Sequence, residues 1–162
     1  MSELSILYGA ATRQNIINLQ EAMVQELENP DSELVQPIDC PVEHFFAPFM
    51  YGRRIFMPAG TDDRPHIVIG KIHKHAHLNN ISMGRVLVVT EFGSQEYVAP
   101  CEFVSLPGTK RAVQILEDCI WTTYHHNPTN TQDLAQLERE IIAESFEQFD
   151  ALSYADIKGL IQ

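Results

Sequence analysis

Short β-prone segments, separated at close intervals by turn residues, are the feature that most limits the folds open to this chain. Between Phe45 and His126 the sequence has runs rich in valine, isoleucine, phenylalanine, tyrosine and threonine. Five turn-forming groups interrupt them: Pro58-Ala-Gly60, Ser82-Met-Gly84, Phe92-Gly-Ser94, Ala99-Pro100 and Leu106-Pro-Gly108. Strands of this length and spacing predict an all-β sandwich or barrel.

Helices are expected on both sides of the β region. From Thr12 to Leu27 apolar residues recur at steps of three and four, with Thr12 as a plausible N-cap. After His126, apolar residues at helical spacing predict one amphipathic helix through Leu134, Leu137, Ile141 and Phe149. Ser153-Tyr-Ala-Asp156 resembles the capping box of a further helix. We therefore expect a mainly β protein with an N-terminal helix and linker over 1–41, a β-barrel over 42–127 and a C-terminal helical appendage over 128–162.

The charge of the chain excludes some partners. With 22 acidic and 11 basic residues among 162, the net charge is -11. Nucleic acids and anionic membranes are bound by clustered lysine and arginine, so neither is an expected partner. No apolar run approaches the roughly 20 residues that span a bilayer, and the N-terminus lacks the pattern of a signal peptide. We expect a soluble intracellular protein in which Cys40, Cys101 and Cys119 are free thiols.

Three histidines at alternate positions are the strongest chemical signal. They lie in the segment Lys71-Ile-His-Lys-His-Ala-His77, and imidazole nitrogens are common ligands of transition metals. In a straight strand, at roughly 3.3 Å per residue, His73 and His77 would be about 13 Å apart. They can share an ion only if the chain bends, and Asn79-Asn80 just beyond them suggests a turn or bulge nearby. His75 is expected to face solvent or a second subunit.

The histidine segment also matches part of a known motif. Two histidines one residue apart, then a glutamate, then a glycine seven residues later form the first motif of the cupin superfamily. When Gly84 is matched with that glycine, His77 stands at the glutamate position, His73 at the second histidine and Lys71 at the first. In the second motif, Pro107-Gly108 matches the turn.

Arg111 stands where the second motif usually has its histidine, so two of the four usual ligands are replaced by cations. The chain resembles more closely a set of small cupin-like proteins of unknown function encoded by bacteriophages, over roughly Val42 to Asn127. Four strings carry this resemblance: Phe46-Ala-Pro48 with Tyr51 and Arg54-Ile-Phe-Met-Pro-Ala-Gly60, then Gly70 to His77, Phe103 to Arg111, and Glu117 to His125. The resemblance implies a jelly-roll barrel and a phage origin.

In such a barrel a third ligand would come from a distant strand. The strand with Trp121, Thr123 and His125 on one face would run beside the strand that begins near His77. His73, His77 and His125 could then converge on a divalent transition metal ion, such as zinc, iron or nickel, with an open fourth position. His126 would face the other way, because adjacent strand residues point to opposite sides.

A different ligand is also open. If Lys71 and Arg111 both point into the barrel beside His73, they form a cationic pocket, with Tyr97 as a further candidate contact. Such a pocket suits an anionic small molecule, for example a sugar phosphate, a carboxylate or a nucleotide fragment.

Three functions follow from these patterns. The first is a phage-type cupin-like protein that binds a divalent metal or an anionic small molecule, with no assigned reaction and no identified catalytic residue. The second is a metal-dependent hydrolase, isomerase or oxygenase. The third is a non-enzymatic virion component or host-interaction protein. We expect a homodimer or higher homo-oligomer, because the apolar stripe of the N-terminal helix needs a surface to cover. The expected location is the host cytoplasm or the virion.

Overall fold

The structure is a computed structural model and describes residues 13–152. The elements in chain order are α1 (Arg13–Glu28), β1 (Val42–Ala47), β2 (Met50–Met57), β3 (His66–Ile69), β4 (Ile72–His73), β5 (His77–Thr90), β6 (Gly93–Val98), β7 (Cys101–Ser105), β8 (Ala112–His126), α2 (Leu134–Ile141), β9 (Ile142–Ala143) and α3 (Phe146–Asp150). The prediction of a mainly β fold with helices at both ends is confirmed.

Seven strands form one antiparallel sheet. Its order is β1-β2-β8-β5-β6, with β3 paired to β8 and β7 paired to β5. Within the described residues this order is open at β1 and β6, so the expected jelly-roll arrangement is present as a sheet that is not a closed barrel. Two long strands, β5 with 14 residues and β8 with 15, hold the sheet together. The first half of β5 pairs with β7 and the second half with β6.

The sheet folds over on itself where the β5–β8 pairing is irregular. The register between the two strands shifts between Ile81 and Val86. Gly84 lies at this irregularity with φ 94, and a Cβ there would collide with the carbonyl oxygen of Asp118. Glycine is therefore needed for both the backbone angle and the close approach of β8. The bend turns the two halves of β5 and β8 towards a shared interior.

The main core fills the space between these halves. Its buried members come from both sides of the bend: Met57, Ile81, Val86, Val88, Val113, Ile115, Cys119 and Trp121. Tyr97 of β6 stacks on Phe103 of β7, with ring centroids 4.1 Å apart and planes at 18°. This stack joins two edge strands through side chains in place of backbone hydrogen bonds. The halves consequently close on each other by packing.

Helix α1 covers one end of the sheet. Ile16 and Leu19 are buried against Val89 and Ala112. The apolar stripe that suggested a second subunit thus packs against the sheet of the same chain. The homo-oligomer stays a prediction. Thr12 and the possible capping box at 153–156 lie outside the described residues. No helix in residues 13–152 combines the length and apolar character that crossing a membrane requires.

The single amphipathic helix expected after His126 is wrong. The segment forms α2 and α3, separated by strand β9, because Ile142 and Ala143 pair with His73 and Ile72 of β4. The side chain of Asp133 accepts hydrogen bonds from two backbone N–H groups at the start of α2, and Ser145 caps α3. Pairing with β4 and burial of Ala143 outweigh continuation of the helix. The C-terminal region therefore contacts the strand that carries His73.

The three cysteines are free, as expected. Cys119 is buried in the core, while Cys40 and Cys101 are half-buried. Burial raises the pKa of the Cys119 thiol to about 12, so it is protonated and unreactive at neutral pH.

Candidate metal centre

A sharp bend brings His73 and His77 together. β4 ends at His73 and β5 begins at His77, with the bend at Lys74 and His75 between them. The ring centroids of His73 and His77 are 4.2 Å apart, compared with the separation of about 13 Å expected for a straight strand. The predicted bend is confirmed. It lies at Lys74, the polar residue within the run, and His75, whereas Asn79 and Asn80, which also suggested a turn nearby, lie in regular pairing within β5.

Backbone contacts hold this bend in place. The Lys74 N–H donates to the carbonyl of Ile141 at 2.7 Å, and the Lys74 ammonium donates to the carbonyl of Arg139 at 2.6 Å. The Gly108 N–H donates to the His73 carbonyl at 2.9 Å. The C-terminal end of α2 and the turn at Pro107-Gly108 therefore fix the path of the chain between the two histidines.

The third imidazole comes from β8. This strand runs antiparallel beside β5, with Tyr124 opposite Leu78, so His125 faces the start of β5. Its ring centroid is 5.3 Å from that of His73 and 4.8 Å from that of His77. One nitrogen from each ring can be chosen so that all three lie within 4.8 Å of one another. Tetrahedral ligands at about 2.1 Å from an ion are about 3.4 Å apart, so small rotations would suffice.

Two of these rings have unsatisfied polar atoms. Nδ1 of His73 and Nδ1 of His77 are buried and have no hydrogen-bond partner within the described part of the chain. A buried polar atom without a partner costs roughly 1–3 kcal/mol, and native structures contain few of them. The three histidines could therefore hold a metal ion, which would take up imidazole lone pairs that the protein leaves unused.

The electrostatic environment keeps the cluster neutral. Burial, followed by the neighbouring histidines, lowers the pKa of His73 well below its usual value. Burial, together with the charge of Arg111, lowers the pKa of His77 to about 4. Burial, together with His77 and His75, lowers the pKa of His125 to about 2. Imidazoles must be unprotonated to bind a metal. At neutral pH the lone pairs of all three are available.

His75 is not where the sequence placed it. Instead of facing solvent, it is buried, with 4% of its surface exposed, and its Nε2 lies 3.0 Å from Nδ1 of His125. The bend at Lys74 and His75 breaks the strict alternation of a strand and turns this side chain inward. His126 is exposed, in agreement with the prediction for it.

The interior pocket containing Lys71 does not form. Lys71 is exposed and forms an ion pair with Glu138 of α2. Arg111 points inward, and its Nη2 donates to Ser105 Oγ at 2.6 Å. Tyr97 and Arg111 line the same cavity of about 240 Å³. The structure thus separates Lys71 from the other two residues, because α2 supplies a carboxylate on the outer surface.

A polar chain beside the cluster was missed in the sequence. Asn79 Nδ2 donates to Ser105 Oγ at 2.6 Å, and Trp121 Nε1 donates to Asn79 Oδ1 at 2.9 Å. Ser105 lies directly opposite His77 in the β5–β7 pairing. Asn79 follows His77 by two residues, so strand alternation was a usable signal that both face the interior. No sequence signal pointed to Ser105.

The remaining histidines make local contacts. His44 Nδ1 lies 2.7 Å from the Tyr51 hydroxyl, and His66 Nδ1 lies 2.7 Å from the Pro58 carbonyl oxygen. Neither belongs to the group formed by His73, His77 and His125.

The chain is similar in structure to several solved proteins at low sequence identity. No family model and no curated protein matches the chain. Similar solved structures include a putative ethanolamine utilization protein from Salmonella typhimurium (7% identity, TM-score 0.47, covering 57% of this chain and 72% of that chain). A second is a cupin superfamily protein from Desulfitobacterium hafniense (8% identity, TM-score 0.45, covering 61% of this chain and 91% of that chain). A third is the Cnp3 cupin domain of Schizosaccharomyces pombe (15% identity, TM-score 0.42, covering 67% of this chain and 76% of that chain). Similarity at this level establishes neither family nor function, and it gives no support to a phage origin.

Proposed function

We propose that this chain binds a divalent transition metal ion through His73, His77 and His125 in a cupin-type fold. The observation that carries the proposal is the convergence of three neutral imidazoles, two of which have buried nitrogens with no hydrogen-bond partner among residues 13–152. A histidine cluster that served packing alone would be expected to pair those nitrogens, since unpaired ones are costly. The proposal explains why the chain tolerates them.

The ligand set favours zinc, iron or nickel. Neutral imidazole suits these ions, and three protein ligands leave a coordination position at which the ion can act as a Lewis acid on a bound molecule. His75 would hold the ring of His125 through their hydrogen bond, and β9 would hold His73 through its pairing with β4. Rigid supports of this kind keep ligands in place before the ion arrives.

We assign no reaction, and the catalytic residues stay unassigned. A metal-dependent hydrolase, isomerase or oxygenase is one alternative hypothesis. A non-enzymatic virion component or host-interaction protein is another alternative hypothesis. The location in the host cytoplasm or the virion also stays a hypothesis. A bound metal would favour the proposed function or the enzyme over the interaction protein.

Metal analysis of untagged protein, purified without a nickel column, tests the proposal. We expect about one zinc, iron or nickel ion per chain, and its loss on changing His73, His77 or His125 to Ala. His126→Ala is the matched control, because His126 adjoins His125 but is exposed. Wild-type protein that takes up none of these ions would contradict the proposal, as would binding that the three substitutions leave unchanged.

A further inference from the structure

Within the described residues, Arg111 is a half-buried cation without a charged partner. Its Nη2 donates to Ser105 Oγ at 2.6 Å, and its guanidinium carbon lies 6.0 Å from the centroid of the Phe103 ring. Within residues 13–152, no ion pair joins Arg111 to a carboxylate. A guanidinium has five N–H donors, and the contact with Ser105 occupies one of them.

Three more exposed arginines of this chain do have charged partners. Acidic residues outnumber basic ones two to one, with 22 against 11. Arg13, Arg54 and Arg85, which are more exposed, each form ion pairs with glutamate, and Arg13 also pairs with Asp150. Burying a charge is costly unless it is paired, so an anion bound beside Arg111 would offset the cost of burying its guanidinium.

An open cavity, lined in part by exposed side chains, lies beside Arg111. Its volume is about 240 Å³, and its walls combine polar groups with apolar ones; they include Ser94, Tyr97, Val104, Leu106, Thr109 and Arg111. Ligand sites for drug-sized molecules usually measure about 300–1,000 Å³, so this cavity suits a smaller molecule. The mixed lining suits a short apolar body with one charged end. We name it the Arg111 cavity.

The histidine cluster is close to the same guanidinium. Ser105, which accepts the hydrogen bond from Arg111, is the cross-strand partner of His77. With an ion bound, the ion would add two positive charges to the one on Arg111, while the three imidazoles would add none. A nearby anion would offset this charge. This step rests on the proposed metal site, whereas the contacts of Arg111 and the cavity do not.

We propose that Arg111 binds the carboxylate of a small organic acid whose apolar part occupies the Arg111 cavity. The planar guanidinium matches a carboxylate with two parallel N–H···O bonds. A single carboxylate is favoured over a phosphate dianion, because one cation faces the cavity. Two other cations close in sequence have partners of their own. Lys71 forms an ion pair with Glu138, and the Lys110 ammonium donates to the carbonyl of Gly70.

Titration of the full, metal-free chain with simple anions tests this inference. Sodium acetate, propionate and butyrate are added at constant ionic strength, and the ¹H–¹⁵N NMR signals of the Arg111 side chain and of the Tyr97 and Thr109 amides are followed. We expect saturable shifts with the carboxylates, stronger for butyrate than for acetate, because the cavity walls include apolar side chains. Sodium chloride and sodium phosphate serve as comparison anions.

Two substitutions and one control assign the effect to Arg111. Arg111→Gln is expected to weaken butyrate binding roughly tenfold to a hundredfold, since it removes a charge-assisted hydrogen bond. Arg111→Lys keeps the charge but loses the planar fork, so we expect an intermediate loss. Arg54→Gln, an exposed arginine that pairs with Glu43, should bind as the wild type does.

The inference would be overturned if no carboxylate gave saturable shifts, if phosphate bound more tightly than butyrate, or if Arg111→Gln and Arg111→Lys both bound butyrate with wild-type affinity. Because the protein is used without metal, these results are independent of the metal analysis. Carboxylate binding in a protein that takes up no metal would keep this inference and reject the proposed function.

Discussion

His75 Nε2 lies 3.0 Å from His125 Nδ1, and both rings are buried. Because both imidazoles are neutral, one nitrogen must donate the shared proton and the other must accept it. On its other side, His125 Nε2 lies 2.9 Å from Thr123 Oγ1, and a hydroxyl can either donate or accept. When His125 donates to His75, the lone pair of His125 Nε2 becomes available to an ion. This is the usual arrangement of a ligand histidine held by a second residue.

Replacement of His75 should therefore weaken metal binding without removing any of the three proposed ligands. We expect His75→Phe to lower the affinity for zinc roughly tenfold to a hundredfold, as measured by competition with a colorimetric chelator. His75→Gln keeps a side-chain acceptor and should recover part of the loss. If His75→Phe and wild-type protein bound zinc equally, the hydrogen bond would have no part in positioning His125.

The stability of the metal-free protein should fall in mildly acidic solution. The pKa of His77 is lowered from 6.5 to about 4, and that of His125 to about 2, so the unfolded chain binds more protons than the folded one below pH 6.5. The free energy of unfolding then decreases as the pH falls from 6.5 towards 4. The lowered pKa of His77 alone accounts for a decrease of roughly 3 kcal/mol. Urea unfolding between pH 7 and pH 4 measures this dependence.

The double variant His77→Phe/His125→Phe provides the control for this experiment. It removes two groups that resist protonation in the folded state, so its unfolding free energy should depend less steeply on pH than that of the wild type. Equal slopes for both proteins would show that other groups cause the acid sensitivity.

Gly84 should tolerate no side chain. We expect Gly84→Ala to lower the free energy of unfolding by at least roughly 2 kcal/mol, since φ is 94 and a Cβ would collide with the Asp118 carbonyl oxygen. Gly93→Ala is a matched control, because Gly93 has φ 125 but no atom within 4 Å of the added Cβ. Urea unfolding should show the smaller loss for Gly93→Ala. Similar losses would mean that close approach of β8 contributes little.

The outer face of the sheet offers a surface for the expected homodimer. The strand register aligns Phe45, Gly52, Tyr124, Leu78 and Val104 in one row across five strands. Its four side chains are 39–63% exposed and uncharged, so two copies of a chain with net charge -11 can meet there without charge repulsion along the row. We expect light scattering to report a dimer at micromolar concentration.

Charged residues in this row should prevent association. Leu78→Lys/Val104→Lys is expected to yield a monomer with an unchanged circular dichroism spectrum. Leu34→Lys, at an apolar residue that is 84% exposed in the segment between α1 and β1, is the control and should remain dimeric. A wild-type monomer would reject the homodimer, and a dimeric double variant would place the contact elsewhere.

Much of the fold and part of the candidate site follow from local patterns. Short β-prone runs and turn residues predicted the strands between Phe45 and His126, and helical spacing predicted α1. Distance required a bend between His73 and His77 if the two share one ion. The resemblance to cupins, and no local pattern, implied that the strand of His125 runs beside the strand of His77. These features depend on interactions between residues close in sequence, or on the pairing of two recognisable strands.

Other features depend on contacts between distant residues, and only the tertiary structure decided them. The bend at Lys74 and His75 is held by the C-terminal end of α2, so the inward turn of His75 has no local signal. Lys71 forms an ion pair with Glu138 at the surface, whereas no ion pair between residues 13 and 152 joins a carboxylate to Arg111. By itself the sequence determined which strands could form and which residues could bind a metal. Packing of the C-terminal region against β4 decided which side chains face the interior, because burial and pairing are set by neighbours far along the chain.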